Sequence, residues 1–162
     1  MTLLSPDLLS ELAILYELPP RRYHSLSHIT ALRNLLADHR SRFSDPDAVE
    51  AAIWYHDAIY EAETARLDLG EGLEGPEVED AKLFLDMDLS ILGASEKEFD
   101  EYEAAVRKEY KHTGNAAWEQ GRAEVLFKFL EREWIFHSEL FRELYEDKAR
   151  KNLRRSLKRL GY

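Results

Sequence analysis

An all-α fold is predicted by three features of this 162-residue chain. Apolar residues recur at helical spacing in almost every segment. No stretch alternates convincingly with period two, and there is no NG-type hairpin signal or internal repeat. Serine, aspartate and proline stand where helix starts are expected. Hydrophobic residues make up 44% of the chain, which is enough to build a core, and the length suits a single domain over 1–162.

The elements follow in order. Ser5-Pro6-Asp7 supplies an N-cap, a proline at the first helical position and an acid in the first turn. Leu8, Leu9, Leu12 and Leu15 then form a stripe that stops at Pro19-Pro20. A second helix is expected from about Tyr23, with Ile29, Leu32, Leu35 and Leu36 on one side. Asp45-Pro46 opens a third, running through Val49, Ala52 and Ile53 into Trp54–Tyr60. The glycines and proline between Leu69 and Glu79 predict a connecting loop. It lacks the Lys and Ser/Thr of a phosphate-cradling P-loop. In Phe84–Gly93, Asp86 or Asp88 reads as the N-cap of a further helix. Ser95 and Glu98 have capping-box spacing ahead of Tyr102, Val106 and Tyr110, and Gly114 breaks that helix. Ala116–Trp134 is periodic again. The last helix carries Phe141, Leu144, Ala149, Leu153, Leu157 and Leu160.

Composition narrows the function. The formal net charge is -10, which disfavours nucleic acid as the main partner because phosphate backbones demand cationic surface. The charge is uneven: residues 148–162 hold seven Lys/Arg and no acid, leaving -17 on the rest. The cationic end reads first as a solvated helix face complementing the C-terminal dipole. With no cysteine in the chain, disulfides, thiolate metal sites and a cysteine nucleophile are excluded. No apolar run approaches the ~20 residues of a membrane span, and no basic segment precedes the first apolar residues. A cytoplasmic protein without a membrane partner is expected.

Three places could carry chemistry. His24 and His28 are four residues apart, which on a helix puts both imidazoles on one face. Such a pair either chelates one metal or supplies one ligand and one proton donor; it is also common as plain helix surface. His56-Asp57 interrupts the apolar and aromatic run Trp54–Tyr60. A carboxylate buried there needs a metal ion, or a cation and hydrogen bonds, to offset its desolvation. Asp86 and Asp88 likewise sit in an apolar stretch.

Taken together these blocks resemble the HD superfamily of metal-dependent phosphohydrolases. The resemblance is closest to a branch opening R-x-Y-H-x-x-x-H-I, which reads here Arg21 to Ile29. Its W-[FY]-H-D-x-[IV]-Y block matches Trp54 to Tyr60, its D-x-D-L-x-I-L-G block Asp86 to Gly93, its R-x-E-Y Arg107 to Tyr110, and its E-x-x-A-R-x-N-L Glu146 to Leu153. The resemblance implies an HD-domain-like helical bundle with His28, His56, Asp57 and Asp88 as metal ligands. Asp57 would thereby also count among the catalytic residues. It implies His24 as the general acid, by similarity to cyclic-nucleotide phosphodiesterases sharing the Y-H-x-x-x-H opening. Asp86 would support the site, and Glu146, Arg150 and Asn152 would stand at its rim, the plainer reading being a surface Glu–Arg pair and a helix-end amide.

Two imidazoles and two carboxylates form an N/O donor set suited to one divalent ion, Mn, Fe, Co, Ni, Zn or Mg. The implied reaction is hydrolysis of a small phosphate ester or nucleotide by metal-activated water. One departure stands out. Thirty residues separate Asp57 from Asp88, and the two helices this branch carries in that interval are absent. A shallower, wetter site with slow turnover is therefore expected, as is a homodimer joined near Tyr60 to Glu79. The alternatives are a catalytically reduced HD-fold protein that binds metal or ligand, and a helical interaction module with a structural His/Asp cluster.

Overall fold

Ser5 opens the first helix, its hydroxyl accepting from the Leu8 N–H with Pro6 at the first helical position. In the computed structural model, which describes residues 3–58 and 75–162, the chain is built of helices joined by turns, bends and short irregular segments, with no strand among the described residues. The all-α fold class is thus as the periodicity predicts. Two compact units are present, Met1–Met87 and Asp88–Tyr162.

The first unit contains α1 (Pro6–Glu17), α2 (Leu26–Asp38) and α3 (Pro46–Tyr55), and most of α4 (Pro76–Leu89). Its core comes from Leu12 and Tyr16 of α1, Ile29, Leu32 and Leu36 of α2, Val49, Ile53 and Trp54 of α3, and Leu83 to Leu85 and Met87 of α4. Asp45 caps α3 by accepting from the Ala48 N–H. Asp80 of α4 accepts from the backbone N–H groups of Ser44 and Asp45, both at 2.8 Å. One buried carboxylate thus anchors α4 to the start of α3.

The second unit contains α5 (Glu96–Glu109), α6 (Asn115–Leu130), α7 (Glu139–Phe141), a π-helical stretch (Arg142–Glu146) and α8 (Asp147–Arg159). Ser95 and Glu98 form the complete capping box that their spacing predicts. Asn152 donates to the carbonyls of Leu92 and Ala94. A Cβ on Gly93 would lie 2.6 Å from the Tyr145 Cβ, so this position admits only glycine without local movement.

Several local expectations need correction. The second helix starts at Leu26, which leaves His24 in the preceding turn. α3 ends at Tyr55, so His56 and Asp57 sit on the turn after it and not within a helix running to Tyr60. Pro76 to Glu79 form the first turn of α4, with proline in its favoured place, where a loop was expected. Asp86 and Asp88 consequently lie near the C-terminal end of α4, and neither is an N-cap. α6 ends at Leu130, short of Trp134, and the last helical region is broken by the π-helical stretch. The remainder of the expected loop and homodimer contact, residues 59–74, lies outside the described residues.

Glu146, Arg150 and Asn152 are framework groups of the second unit. Buried Glu146 accepts from the N–H groups of Ile135 and Phe136 and from Arg150 Nε. Arg150 in turn donates to the carbonyls of Leu130, Arg132 and Glu133, closing the α6–α7 connection.

Candidate metal centre

His28 occupies the first turn of α2 and is buried, because the same face carries Ile29 and Leu32 into the core. His56 follows the last residue of α3 with helical backbone angles, its N–H still bonded to the Ala52 carbonyl. Its ring therefore turns back along α3, and Nδ1 meets the Ile53 carbonyl at 2.9 Å. Asp57, next in the chain, is buried as well. Asp88 lies in the last turn of α4, continuing the helix that Asp80 anchors.

These side chains converge. The Nε2 atoms of His28 and His56 are 3.2 Å apart. Asp57 Oδ2 is 3.1 Å from His56 Nε2 and 3.9 Å from His28 Nε2. His28, His56 and Asp88 each offer one ligand atom within 4.8 Å of the other two, a group able to hold a metal ion. Asp57 touches both imidazoles without belonging to that three-residue group.

The donor chemistry fits a cation. A carbonyl oxygen only accepts, so the Ile53 contact places the His56 proton on Nδ1. In the neutral ring, Nε2 then carries a lone pair directed among a second imidazole and a carboxylate. Lone pairs and a carboxylate repel unless a proton or a metal ion lies among them. A backbone carbonyl on the far ring nitrogen is also the usual support of a metal-ligating histidine. Ligand atoms ~2.1 Å from one ion and ~90–110° apart lie roughly 3.0–3.4 Å from each other, the range of the two short separations here.

His24 is half-buried, and its ring centroid is 6.1 Å from that of His28. It is thus beside the ligand group although it stands on a turn. Tyr23 packs against both rings at 5.0 and 4.9 Å, and Phe84 of α4 meets the His56 ring edge-on at 5.5 Å. Asp86 is completely buried.

Two further residues support these turns: Arg21 opens the R-x-Y-H block, whereas Tyr16 carries no clear signal in the sequence. Tyr16 is fully buried, donates to the Trp54 carbonyl at 2.9 Å and accepts from the Asp57 backbone N–H. Burial, and after it the Asp57 charge, pushes its phenol up to about 12. Arg21 donates to the carbonyls of His24 and Ala58. Tyr16 follows Leu12 by four residues and so shares its face, a position the leucine stripe conceals.

Neither the protein-family models, the curated proteins nor the solved structures yield a match to this chain.

Proposed function

We propose that this chain is a metal-dependent phosphohydrolase of the HD type, acting on a small phosphate ester or nucleotide with one divalent ion. The observation that carries the reading is the meeting of the His28 and His56 Nε2 atoms at 3.2 Å beside Asp57 and within reach of Asp88, with His56 Nδ1 fixed on the Ile53 carbonyl. His28, His56 and Asp88 hold the ion, and Asp57 either joins them or balances the charge from beside the imidazoles. When bound, the ion supplies Lewis acidity toward a phosphoryl oxygen and lowers the pKa of water. His24, a neighbour on a turn, holds a proton for the departing oxygen, a role typically worth 10²–10⁴-fold. Ile53, through its carbonyl, keeps the His56 ring oriented.

The test is phosphate release from p-nitrophenyl phosphate and nucleoside monophosphates, with Mn²⁺, Co²⁺, Ni²⁺, Zn²⁺ or Mg²⁺ added in turn. Metal-dependent release that His56→Ala abolishes supports the proposal. Stoichiometric metal uptake with no release from any substrate selects the metal-binding, non-catalytic alternative.

A further inference from the structure

The two histidine-bearing turns of the first unit are joined by a pair of side chains outside the ligand set. Arg21 Nη1 donates to the His24 carbonyl at 3.0 Å, and Arg21 Nη2 donates to the Ala58 carbonyl, also at 3.0 Å. One guanidinium therefore grips the backbone three residues after itself and the backbone two residues after His56. Its plane lies over the Tyr16 ring, with Cζ 4.9 Å from the centroid. The Tyr16 hydroxyl reaches the same region from α1, bonding the Trp54 carbonyl and the Asp57 N–H. Trp54, Asp57 and Ala58 bracket His56, so three backbone groups around that histidine are held by these two side chains.

Each turn lies at the end of a helix, where the ladder runs out. α3 ends at Tyr55; the His56 N–H still bonds the Ala52 carbonyl and the Ala58 N–H the Tyr55 carbonyl, while the Trp54 carbonyl accepts from Tyr16. His24 precedes α2, and Ser25 is its N-cap, with a carbonyl that accepts from the His28 and Ile29 N–H groups. A planar fork with two parallel donors can fix two carbonyls at once, which a lysine ammonium does less well. The aromatic face beneath the guanidinium restricts its remaining freedom.

From this geometry we infer that Arg21 and Tyr16 are positioning residues for the candidate metal centre, setting the turn that presents His56 and Asp57 and tying it to the turn that presents His24. The inference rests on the metal-centre reading of His28, His56 and Asp88, and goes beyond it by assigning work to residues outside that ligand set. Groups that orient metal ligands typically change metal affinity 10–100-fold when replaced.

The experiment compares Arg21→Lys and Tyr16→Phe with Arg33→Met, a control in the same unit whose side chain lies over Trp54 and pairs with Glu50 but bridges neither turn. Three quantities are read on the full chain: thermal midpoint without metal, Co²⁺ affinity with the energy of its visible absorption band, and the His56 ring tautomer by nitrogen NMR without metal. Expected for both positioning variants are 10–100-fold weaker Co²⁺ binding, a shifted band, and a His56 ring that exchanges between tautomers. Arg33→Met keeps the wild-type band and the single Nδ1–H tautomer. Lower thermal midpoints in the Arg21 and Tyr16 variants with unchanged affinity, band and tautomer would overturn the inference. A wild-type chain that takes up no Co²⁺, while Arg21→Lys still mixes the His56 tautomers, leaves the positioning role standing and removes the metal reading instead.

Discussion

Replacing Asp80 with asparagine tests how the fold delivers α4 to the candidate centre. The Asp80 carboxylate accepts two backbone N–H bonds of 2.8 Å, from Ser44 and Asp45, one on each oxygen. Bonds to a charged acceptor contribute roughly 1.5–3 kcal/mol each. Ser44 and Asp45 are exposed, so water can reclaim part of that once the carboxylate is gone. An asparagine keeps one acceptor and turns an NH₂ group toward the second N–H, so one bond is lost outright and the other loses its charge assistance. The expected cost is about 2 kcal/mol, a fall of roughly 4–8 °C in thermal midpoint for a chain of this length. Asp88 lies eight residues further along α4, about 12 Å down the axis, so a loosened start carries through to this candidate ligand. Thermal unfolding gives the first number, and hydrogen exchange at the Ser44 and Asp45 amides localises it. Exchange at those amides should accelerate, and Co²⁺ affinity should fall with it. A midpoint within 1 °C of wild type and unchanged amide protection would refute the claim that Asp80 is the anchor of α4.

Three further predictions follow from other contacts. Gly93→Ala places a Cβ against the Tyr145 backbone and should cost about 1–3 kcal/mol, whereas Gly121→Ala, whose Cβ would meet nothing within 4 Å in the middle of α6, should stabilise by up to ~1 kcal/mol; denaturant unfolding ranks the two. Hydrogen bonds from Arg159 and then Arg155 hold the Asp100 carboxyl well below its ordinary value of 3.8, at about 2. A lowered folded pKa means stability that is present above about pH 4 and drains away toward pH 2, so Asp100→Asn should flatten that part of the melting profile. The effect should be small and weakened by salt, because the carboxylate is well exposed. His24→Ala should retain Co²⁺ while lowering kcat, because a proton donor acts in the transition state; equal metal loss in His24→Ala and Asp57→Ala would contradict the separation of ligand from acid.

What the sequence reveals about this chain is mostly local. Ser5, Asp45 and the Ser95–Glu98 pair mark helix starts because a cap depends on three or four consecutive residues. The all-α class follows from periodicity for the same reason. The end of α3 is harder to read, since Tyr16 and Arg21, distant in sequence from the Trp54 and Ala58 carbonyls they bond, hold the turn there. Asp86 and Asp88 look like caps in isolation, and only the helix start at Pro76, hidden behind a glycine-rich run, places them at the other end. Glu146 and Arg150 have the spacing of a surface pair, yet Glu146 is buried because it takes backbone N–H groups from a segment ten residues earlier. The histidines and aspartates of the candidate centre stand out because charge inside apolar sequence demands a partner. Their support stands out less: Arg21 belongs to the R-x-Y-H block without showing what it bonds, and Tyr16 is an ordinary residue until the backbone it holds is known.

The most direct measurement is the stoichiometry of Co²⁺ bound to purified, metal-stripped protein, followed by its visible absorption, for wild type and for His28→Ala, His56→Ala and Asp88→Ala. One ion per chain is expected in wild type and at least tenfold weaker binding in each variant, because each removes a proposed ligand of the same ion. Wild-type protein that binds no ion, or a His56→Ala variant that binds it as tightly as wild type, would contradict the metal centre itself.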